Sequence, residues 1–488
     1  MGGTAGVDHR IAIVGAGFSG IGAALALREA GIEDFAVLER ASAIGGTWRE
    51  NVYPGCACDV PSSVYGLSFA PKPDWSRSFA PAAEIRGYLE ECARAGGVSE
   101  RIELGRAVHG LRWEDGAGRW RIETDAGERT AQVAVLATGP LSEPAIPRLP
   151  GLGAFSGAVF HSARWDTGRD LRGARVAVVG TGASAAQIVP HLAGVAGELT
   201  VYQRTPAWVL PRRDRALGGL EHALYRTLPA AQRAARAGTY WGRELLYPVL
   251  RSPLAGALAE RLAARHLRDQ IRDPALRAAL TPEYRIGCKR ILLSDDLYPA
   301  LAHPRTTLVP HAVRELTADG VIAADGVERP ADVVVLATGF RIGAALAPAR
   351  IHGREGTLAR RWSAGASAYN GTTVAGFPNL AILLGPHTGL GHNSVLVMLE
   401  AQLRYLVGML DALQRGALRS LEPRVEAQAR FEAMIRRRSR RLVFERGGCS
   451  SWYLDGAGHS LLWPGPSFTF VRRLRRFDLE RYEARSAP

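Results

Sequence analysis

Short apolar runs alternate with longer amphipathic stretches along most of the chain. Ile11-Ala12-Ile13-Val14 is an unbroken apolar run, as a strand covered on both faces requires. A glycine-rich turn follows it, then the segment Ile21 to Ala30 with apolar residues at helical spacing, then a second run, Val37-Leu38. Residues 174–204 repeat this plan. Two later runs, Val133 to Gly139 and Val333 to Gly339, end alike in Ala-Thr-Gly after a strand that reads as buried. Strands alternating with helices predict an α/β fold with parallel sheets. The Pro-rich stretch Pro140 to Pro150 separates two such units. Residues 215–285 are rich in Ala, Leu and Arg and carry no strand pattern, which predicts a helical insertion in the second unit.

The turns between strand and helix carry the chemistry. The first is Gly15-Ala16-Gly17-Phe18-Ser19-Gly20, and the strand after its helix ends at Glu39-Arg40. Glycines at this spacing let a pyrophosphate approach the backbone at a helix N-terminus. Glu39 would accept hydrogen bonds from an unphosphorylated adenosine ribose. The second turn is Gly180-Thr181-Gly182-Ala183-Ser184-Ala185, with Ala185 where a third glycine often stands. Its second strand ends Val201-Tyr202-Gln203-Arg204-Thr205, so the carboxylate has become Gln203 and a cation follows. A carboxylate would repel a ribose 2′-phosphate and an arginine would hold it. The two Rossmann-like units are therefore expected to bind different molecules, FAD in the first and NADPH in the second. Thr138-Gly139 and Thr338-Gly339 would close the two nucleotide sites.

Composition narrows the class. With 488 residues, 47% apolar and 22% charged, the chain suits a soluble protein of several domains. No apolar run reaches about 18 residues, so no membrane span is expected. The first strand starts too early to leave room for a cleaved leader. The net charge of +14 comes almost wholly from arginine, with lysine only at Lys72 and Lys289. The cations are dispersed, and the runs Arg436 to Arg441 and Arg472 to Arg476 read as solvated helix faces. Nucleic acid is not expected as a partner. The five cysteines, an odd and sparse set, argue against a disulfide framework and for a reducing, cytoplasmic compartment. Cys56 and Cys58 form a lone C-x-C, too few ligands for a metal site.

Two further strings are more specific. Gly45-Gly46-Thr47-Trp48 is followed by Tyr53-Pro54-Gly55 and Asp59. Phe155, Gly157, His161, Trp165 and Asp166 stand at the spacing F-x-G-x-x-x-H-x-x-x-W-D. The second string resembles the fingerprint of type I Baeyer–Villiger monooxygenases at every fixed position, and the first resembles that family's companion motif. The resemblance extends from Ile11 to the Trp452-Tyr453 segment. It implies FAD, NADPH, O₂ and a small-molecule ketone. Reduced FAD and O₂ would give a C4a-peroxyflavin that attacks the ketone, inserting one oxygen atom to yield an ester or lactone. Related flavin monooxygenases that oxygenate nitrogen or sulfur carry a looser second string and are the alternative.

The resemblance also assigns roles. Arg290, in Gly287-Cys288-Lys289-Arg290-Ile291-Leu292-Leu293, matches the family's active-site arginine, with Lys289 reaching the NADPH phosphate. Asp59, in a Gly/Pro/Cys loop where an acid has no packing reason to be, would orient Arg290. Gly46, Thr47, Trp48 and Tyr53 would line the flavin site. The Gly-rich string ending Asn393-Ser394 would set a helix N-terminus against it. Trp452 matches a tryptophan near the nicotinamide nucleotide, though taken alone it reads equally as a packed aromatic. His161 reads as a hydrogen-bonded linker that couples domain movements, with acid–base catalysis as the other reading. The expected organisation is an FAD domain at residues 1–145, an NADPH domain at 146–214, the helical insertion at 215–285, the rest of the NADPH domain at 286–340, and a return to the FAD domain at 341–488.

Overall fold

A computed structural model describes residues 8–341, 346–449, 451–455 and 458–486. The first sheet opens with β1 (His9–Val14) and β2 (Phe35–Glu39), parallel neighbours joined by helix α1 (Phe18–Glu29). β3 (Ile102–Leu104), β4 (Val108–Glu114), β5 (Arg119–Thr124) and β6 (Gly127–Leu136) extend it, with β6 parallel to β1 on the side away from β2. The second sheet is all parallel. Its strands are β7 (Ala158–His161), β8 (Arg175–Val179), β9 (Glu198–Tyr202), β10 (Thr306–Val309) and β11 (Val333–Leu336), in the order β10-β9-β8-β11-β7. Helix α2 (Ala183–Ala193) links β8 to β9 as α1 links β1 to β2. After β11 the chain rejoins the first sheet: β12 (Ile351–His352) pairs with β4 and β13 (Leu380–Ile382) with β6.

The run at β1 is apolar throughout because both faces of its sheet are covered. Ile11 and Ile13 pack with Ile21 and Leu27 of α1, and with Leu399 and Leu403 of a long helix near the end of the chain. Ala12 and Val14 face Trp113, Trp120 and Ile122 on the other side. Each fully buried aliphatic side chain stabilises by about 1.5–3 kcal/mol. The first core is therefore completed by residues that lie hundreds of positions later.

Residues 215–285 are helical between short connections, and they bridge the two units. Helix α3 (Pro229–Glu244) docks on the first: Arg236 donates to the carbonyls of Ser63 and Gly66, at 3.2 and 3.0 Å, and pairs with Glu400. The helix Pro253–Gln270 packs Leu267 into the core of the second sheet. Helix α4 (Val395–Arg415) is the long helix that covers α1 and β1.

One expectation is overturned. Cys288 and Cys449 are joined by a disulfide, whereas Cys56, Cys58 and Cys92 are free and buried. The two partners lie 161 residues apart in sequence but 6.2 Å apart at their Cα atoms. Spacing along the chain carries no trace of an approach made by tertiary folding. The bond also weakens the argument from cysteine usage for a reducing compartment. Among the described residues no helix is long and apolar enough to cross a membrane, and no cluster of residues suits a metal ion.

The units meet at the Tyr53-Pro54-Gly55 string. The Tyr53 hydroxyl donates to Gln187 Oε1 on α2 at 3.0 Å, and Gln187 Nε2 donates back to the Ala57 carbonyl at 2.9 Å. Gly55 has φ +77°, and a Cβ there would lie 2.4 Å from His191 Nε2 and 2.8 Å from the Gln187 carbonyl. Only glycine admits this approach. Gly55→Ala is therefore expected to destabilise the protein by about 1–3 kcal/mol, read as a lower denaturant midpoint. An unchanged midpoint would mean that α2 simply shifts away.

Candidate active site

Each glycine turn is built by the strand ends around it. Gly15 N donates to the Leu38 carbonyl at 2.8 Å and Ala137 N to the Val14 carbonyl at 2.9 Å, which gathers β1, β2 and β6 at one edge. The second unit repeats this, with Gly180 N to Tyr202 O and Ala337 N to Val179 O, both at 2.9 Å. Gly15 and Gly180 adopt φ of +104° and +113°, and a Cβ would fall 2.8 Å from the Ala137 carbonyl and 2.5 Å from the Ala337 carbonyl. Helices α1 and α2 both start at a glycine, Gly17 or Gly182, without a side-chain cap. Their first-turn N–H groups thus lack side-chain acceptors, the arrangement that receives a phosphate. A Cβ on Gly182 would meet nothing within 4 Å, so this turn opens outward. On these observations both cradles fit a dinucleotide.

Their surroundings differ in charge. In the first, Glu39 is buried; its Oε2 accepts from Ala16 N at 2.7 Å and its Oε1 from Ala41 N at 3.0 Å. The carboxylate therefore braces the glycine turn, with lone pairs to spare. Gly45 N bonds the Ala16 carbonyl at 3.0 Å, bringing Gly46, Thr47 and Trp48 to the same edge. Phe18 and Trp48 both pack edge-on against Tyr65, and Ser19 and Gly20 are buried in the first turn of α1. Arg40 pairs with Glu143. In the second cradle Gln203 is buried and spends its amide on the Ala279 carbonyl at 2.8 Å. Arg204 is exposed beside Thr205, whose carbonyl accepts from the Thr181 hydroxyl at 3.3 Å. Ala183 and Ser184 open α2. Lys289 rests on the Tyr284 ring at 5.1 Å, and burial, then the like charge of Arg204, depresses its pKa. Among the described residues neither Arg204 nor Lys289 has an ion-pair partner.

Asp59 and Arg290 meet. Arg290 Nε donates to Asp59 Oδ2 at 2.7 Å and Nη2 to Oδ1 at 2.5 Å, a planar two-bond fork. Burial alone would raise the Asp59 carboxyl, but the charge and hydrogen bonds of Arg290 hold it below the usual range. Arg290 is raised, chiefly by Asp59. The side chains keep 33% and 25% exposure, so the pair lines a surface that solvent reaches. The buried Tyr453 phenol faces the same guanidinium; burial raises its pKa and Arg290 opposes that. Arg290 precedes a two-residue strand, Leu292–Leu293, paired with Val209–Leu210. On its other side the Cys288–Cys449 bond fixes the segment.

Other candidates stand apart from this pair. Asn393 donates its amide to Glu244 at 2.7 Å, and Ser394 caps α4 by accepting from Leu396 N. Trp452 is 46% exposed and packs edge-on against Tyr453, so it is no core aromatic. Thr338 donates to the Ala145 carbonyl at 2.7 Å, and Gly139 and Gly339 turn with φ of +67° and +83°. His161 is buried at the end of β7. Its Nδ1 accepts from Ala163 N, its ring meets Phe340 edge-on, and burial lowers its pKa. Nearby Arg164 bridges to Glu50 at 2.7 Å, tying the second string to the first unit. Sequence reasoning missed Tyr453 as a neighbour of Arg290, and it missed Arg243. No local signal marks Arg243 in so arginine-rich a chain.

Comparison with known proteins agrees with this geometry. The family described as "FMO-like: Flavin-binding monooxygenase-like" matches residues 8–346. A Baeyer-Villiger monooxygenase of Streptomyces coelicolor is 48% identical over 98% of this chain and 93% of its own length. One of Pseudomonas aeruginosa is 44% identical over 98% and 92%. Among solved structures, cyclohexanone monooxygenase from Rhodococcus sp. Phi1 bound to NADP+ superposes with a TM-score of 0.88 at 25% identity, over 99% of this chain and 100% of that one. OTEMO in complex with FAD and NADP gives 0.88 at 25% identity, over 98% and 100%. With two dinucleotide cradles, a forked Asp59–Arg290 pair that joins a loop of the first unit to the segment after the insertion, and these relatives, the chain belongs to the flavin-binding monooxygenase family.

Proposed function

We propose that the protein is a Baeyer–Villiger monooxygenase that uses FAD, NADPH and O₂ to convert a ketone into an ester or lactone. The Asp59–Arg290 fork carries this reading. The first cradle, from Gly15 to Gly20 with Gly46, Thr47 and Trp48 beside it, would hold FAD. The second, with Arg204, Thr205 and Lys289, would hold NADPH by its 2′-phosphate. Two cations without an acid between them suit a dianionic group. The flavin, when bound and reduced, supplies the activated oxygen.

The chain's own residues must then handle charge. Attack on a ketone moves the carbonyl π pair onto its oxygen, and that oxyanion needs a fixed partner. Arg290 keeps its proton at any working pH. Two of its N–H groups go to Asp59, which fixes the guanidinium plane, and the remaining ones, beside the Tyr453 phenol, can meet the developing charge. The arrangement is preorganised and costs no reorientation at the moment of reaction. Oxygenation of a nucleophilic nitrogen or sulfur passes through no tetrahedral carbonyl adduct, so it gives the forked guanidinium no carbonyl oxyanion to meet.

Removing one preorganised donor costs on the order of a hundred- to a thousandfold. Arg290→Ala should still oxidise NADPH, more slowly, but release hydrogen peroxide in place of ester. Arg290→Lys should recover little, because an ammonium lacks the planar fork. A stopped assay of NADPH, peroxide and ester together decides this; an undiminished ester yield per NADPH in Arg290→Ala would refute the assignment.

For the coenzyme, Arg204→Ala should raise the KM for NADPH about ten- to a hundredfold, the worth of one charged hydrogen bond. NADH kinetics should hardly change, and equal losses with both coenzymes would contradict the 2′-phosphate site.

His161 sits buried, and that burial lowers its proton affinity. His161→Gln should slow turnover without displacing the pH profile of kcat, and a profile that moves with the substitution would make it a titrating catalyst.

A further inference from the structure

Arg243 stands one residue before the end of α3. Its neighbour Glu244 is buried, and accepts from Asn393 Nδ2 at 2.7 Å, Ser467 Oγ at 2.5 Å and Ser467 N at 3.1 Å, with His392 Nε2 at 3.3 Å. This network pins the last turn of α3 against the string that precedes α4. A helical step of about 100° then aims Arg243 away from Glu244. The Nε of Arg243 is sealed from solvent without a hydrogen-bond partner, and among the described residues its guanidinium makes no ion pair. Arg236 and Thr239, seven and four residues earlier on the same helical face, hold the segment just after Asp59: Arg236 donates to the Ser63 and Gly66 carbonyls, and the Thr239 hydroxyl accepts from Ser63 Oγ at 3.0 Å. Arg243 continues that face, and Asp59 and Arg290 are the charges that act on it. Burial depresses its proton affinity, Asp59 pulls it back and Arg290 pushes it down again.

The charges of this cluster do not cancel. Both Asp59 oxygens are taken by Arg290, so the fork is neutral as a whole and acts on an approaching anion only as a dipole. Arg243 adds a cation that feels Asp59 at a distance but, among the described residues, is bonded to no carboxylate. A buried charge left unpaired costs free energy unless an anion arrives to meet it. The structure offers one occasion for that, at the reactive centre itself.

We propose that Arg243 is a second oxyanion-stabilising residue, whose free N–H groups receive the negative charge that develops on the substrate carbonyl oxygen beside Arg290. This rests on the ketone-oxygenating reading above. The division of labour follows from the geometry: Asp59 fixes Arg290 in place, and Arg243 makes the cluster net positive.

The test uses holoenzyme, a ketone that the wild type converts, and the variants Arg243→Met, Arg243→Lys and Arg243→Ala. Arg243→Met keeps the bulk and removes the charge. It should retain its flavin and its KM for NADPH, while ester formed per NADPH falls about ten- to a hundredfold and peroxide makes up the difference. Arg243→Lys should recover part of the yield. Methylguanidinium added to Arg243→Ala should also restore ester, a rescue that a packing role would not show. An unchanged ester yield in Arg243→Met overturns the proposal. So does a loss confined to the KM of keto acids with coupling intact, which would make Arg243 an anchor for a substrate carboxylate. Loss of flavin from both Met and Lys variants would make the residue structural and overturn it as well. If the wild type forms no ester from any ketone, the functional reading fails instead.

Discussion

The fork between Asp59 and Arg290 is the interaction around which the rest of this structure is arranged. Its partners are 231 residues apart, one on a loop of the first unit and one on the segment that follows the helical insertion. Two charges drawn partly out of water are worth having only if their geometry is held closely. The holding is visible on both sides. Tyr53, Gly55 and Ala57 dock the Asp59 loop on α2 of the second unit. The Leu292–Leu293 ribbon and the Cys288–Cys449 bond confine Arg290. A reactive centre assembled from two units responds to how those units sit, and the same contacts that fix their packing fix the cation.

The two cradles show how one backbone plan yields two differently charged surroundings. Both close a parallel strand pair over an uncapped helix start, and both need a left-handed glycine at the same place. The difference lies at the tip of the next strand. Glu39 turns inward and ties down the first turn, whereas Gln203 is consumed by the insertion and leaves Arg204 outside. Lys289 then joins Arg204 from the segment that also carries Arg290. In the proposed function, coenzyme selection and charge stabilisation rest on adjacent residues, Lys289 and Arg290, next to the disulfide at Cys288, so a shift of that segment would alter both.

Helix α3 connects these features to the end of the chain. Glu244 bonds Asn393 and Ser467, and Arg243 beside it continues the helical face that Arg236 and Thr239 lay on the segment after Asp59. The insertion is thus tied to the first unit at the middle and the last turn of α3, through Arg236 and Glu244, as well as to the core of the second sheet through Leu267.

The sequence by itself determined the local chemistry. The apolar runs, the glycine turns, Glu39 against Gln203-Arg204, and the two specific strings depend on short-range rules of spacing and side-chain type, and these were legible. Asp59 and Arg290 were legible as candidates, and the family resemblance, not any local pattern, led to the expectation that one orients the other. That they form a two-bond fork was decided by tertiary structure, since no local pattern records an approach across 231 positions. The same reason hid the Cys288–Cys449 bond, whose partners looked like spare thiols in an odd set. It also hid Arg243, a surface-type residue on an amphipathic helix until the fold turns it toward another cation. Asn393 shows the converse: its motif was plain, but a buried carboxylate on α3 claimed its amide. Local rules fix what each segment can do, while burial and long-range pairing, which enter only when segments meet, decide what each side chain is left free to do.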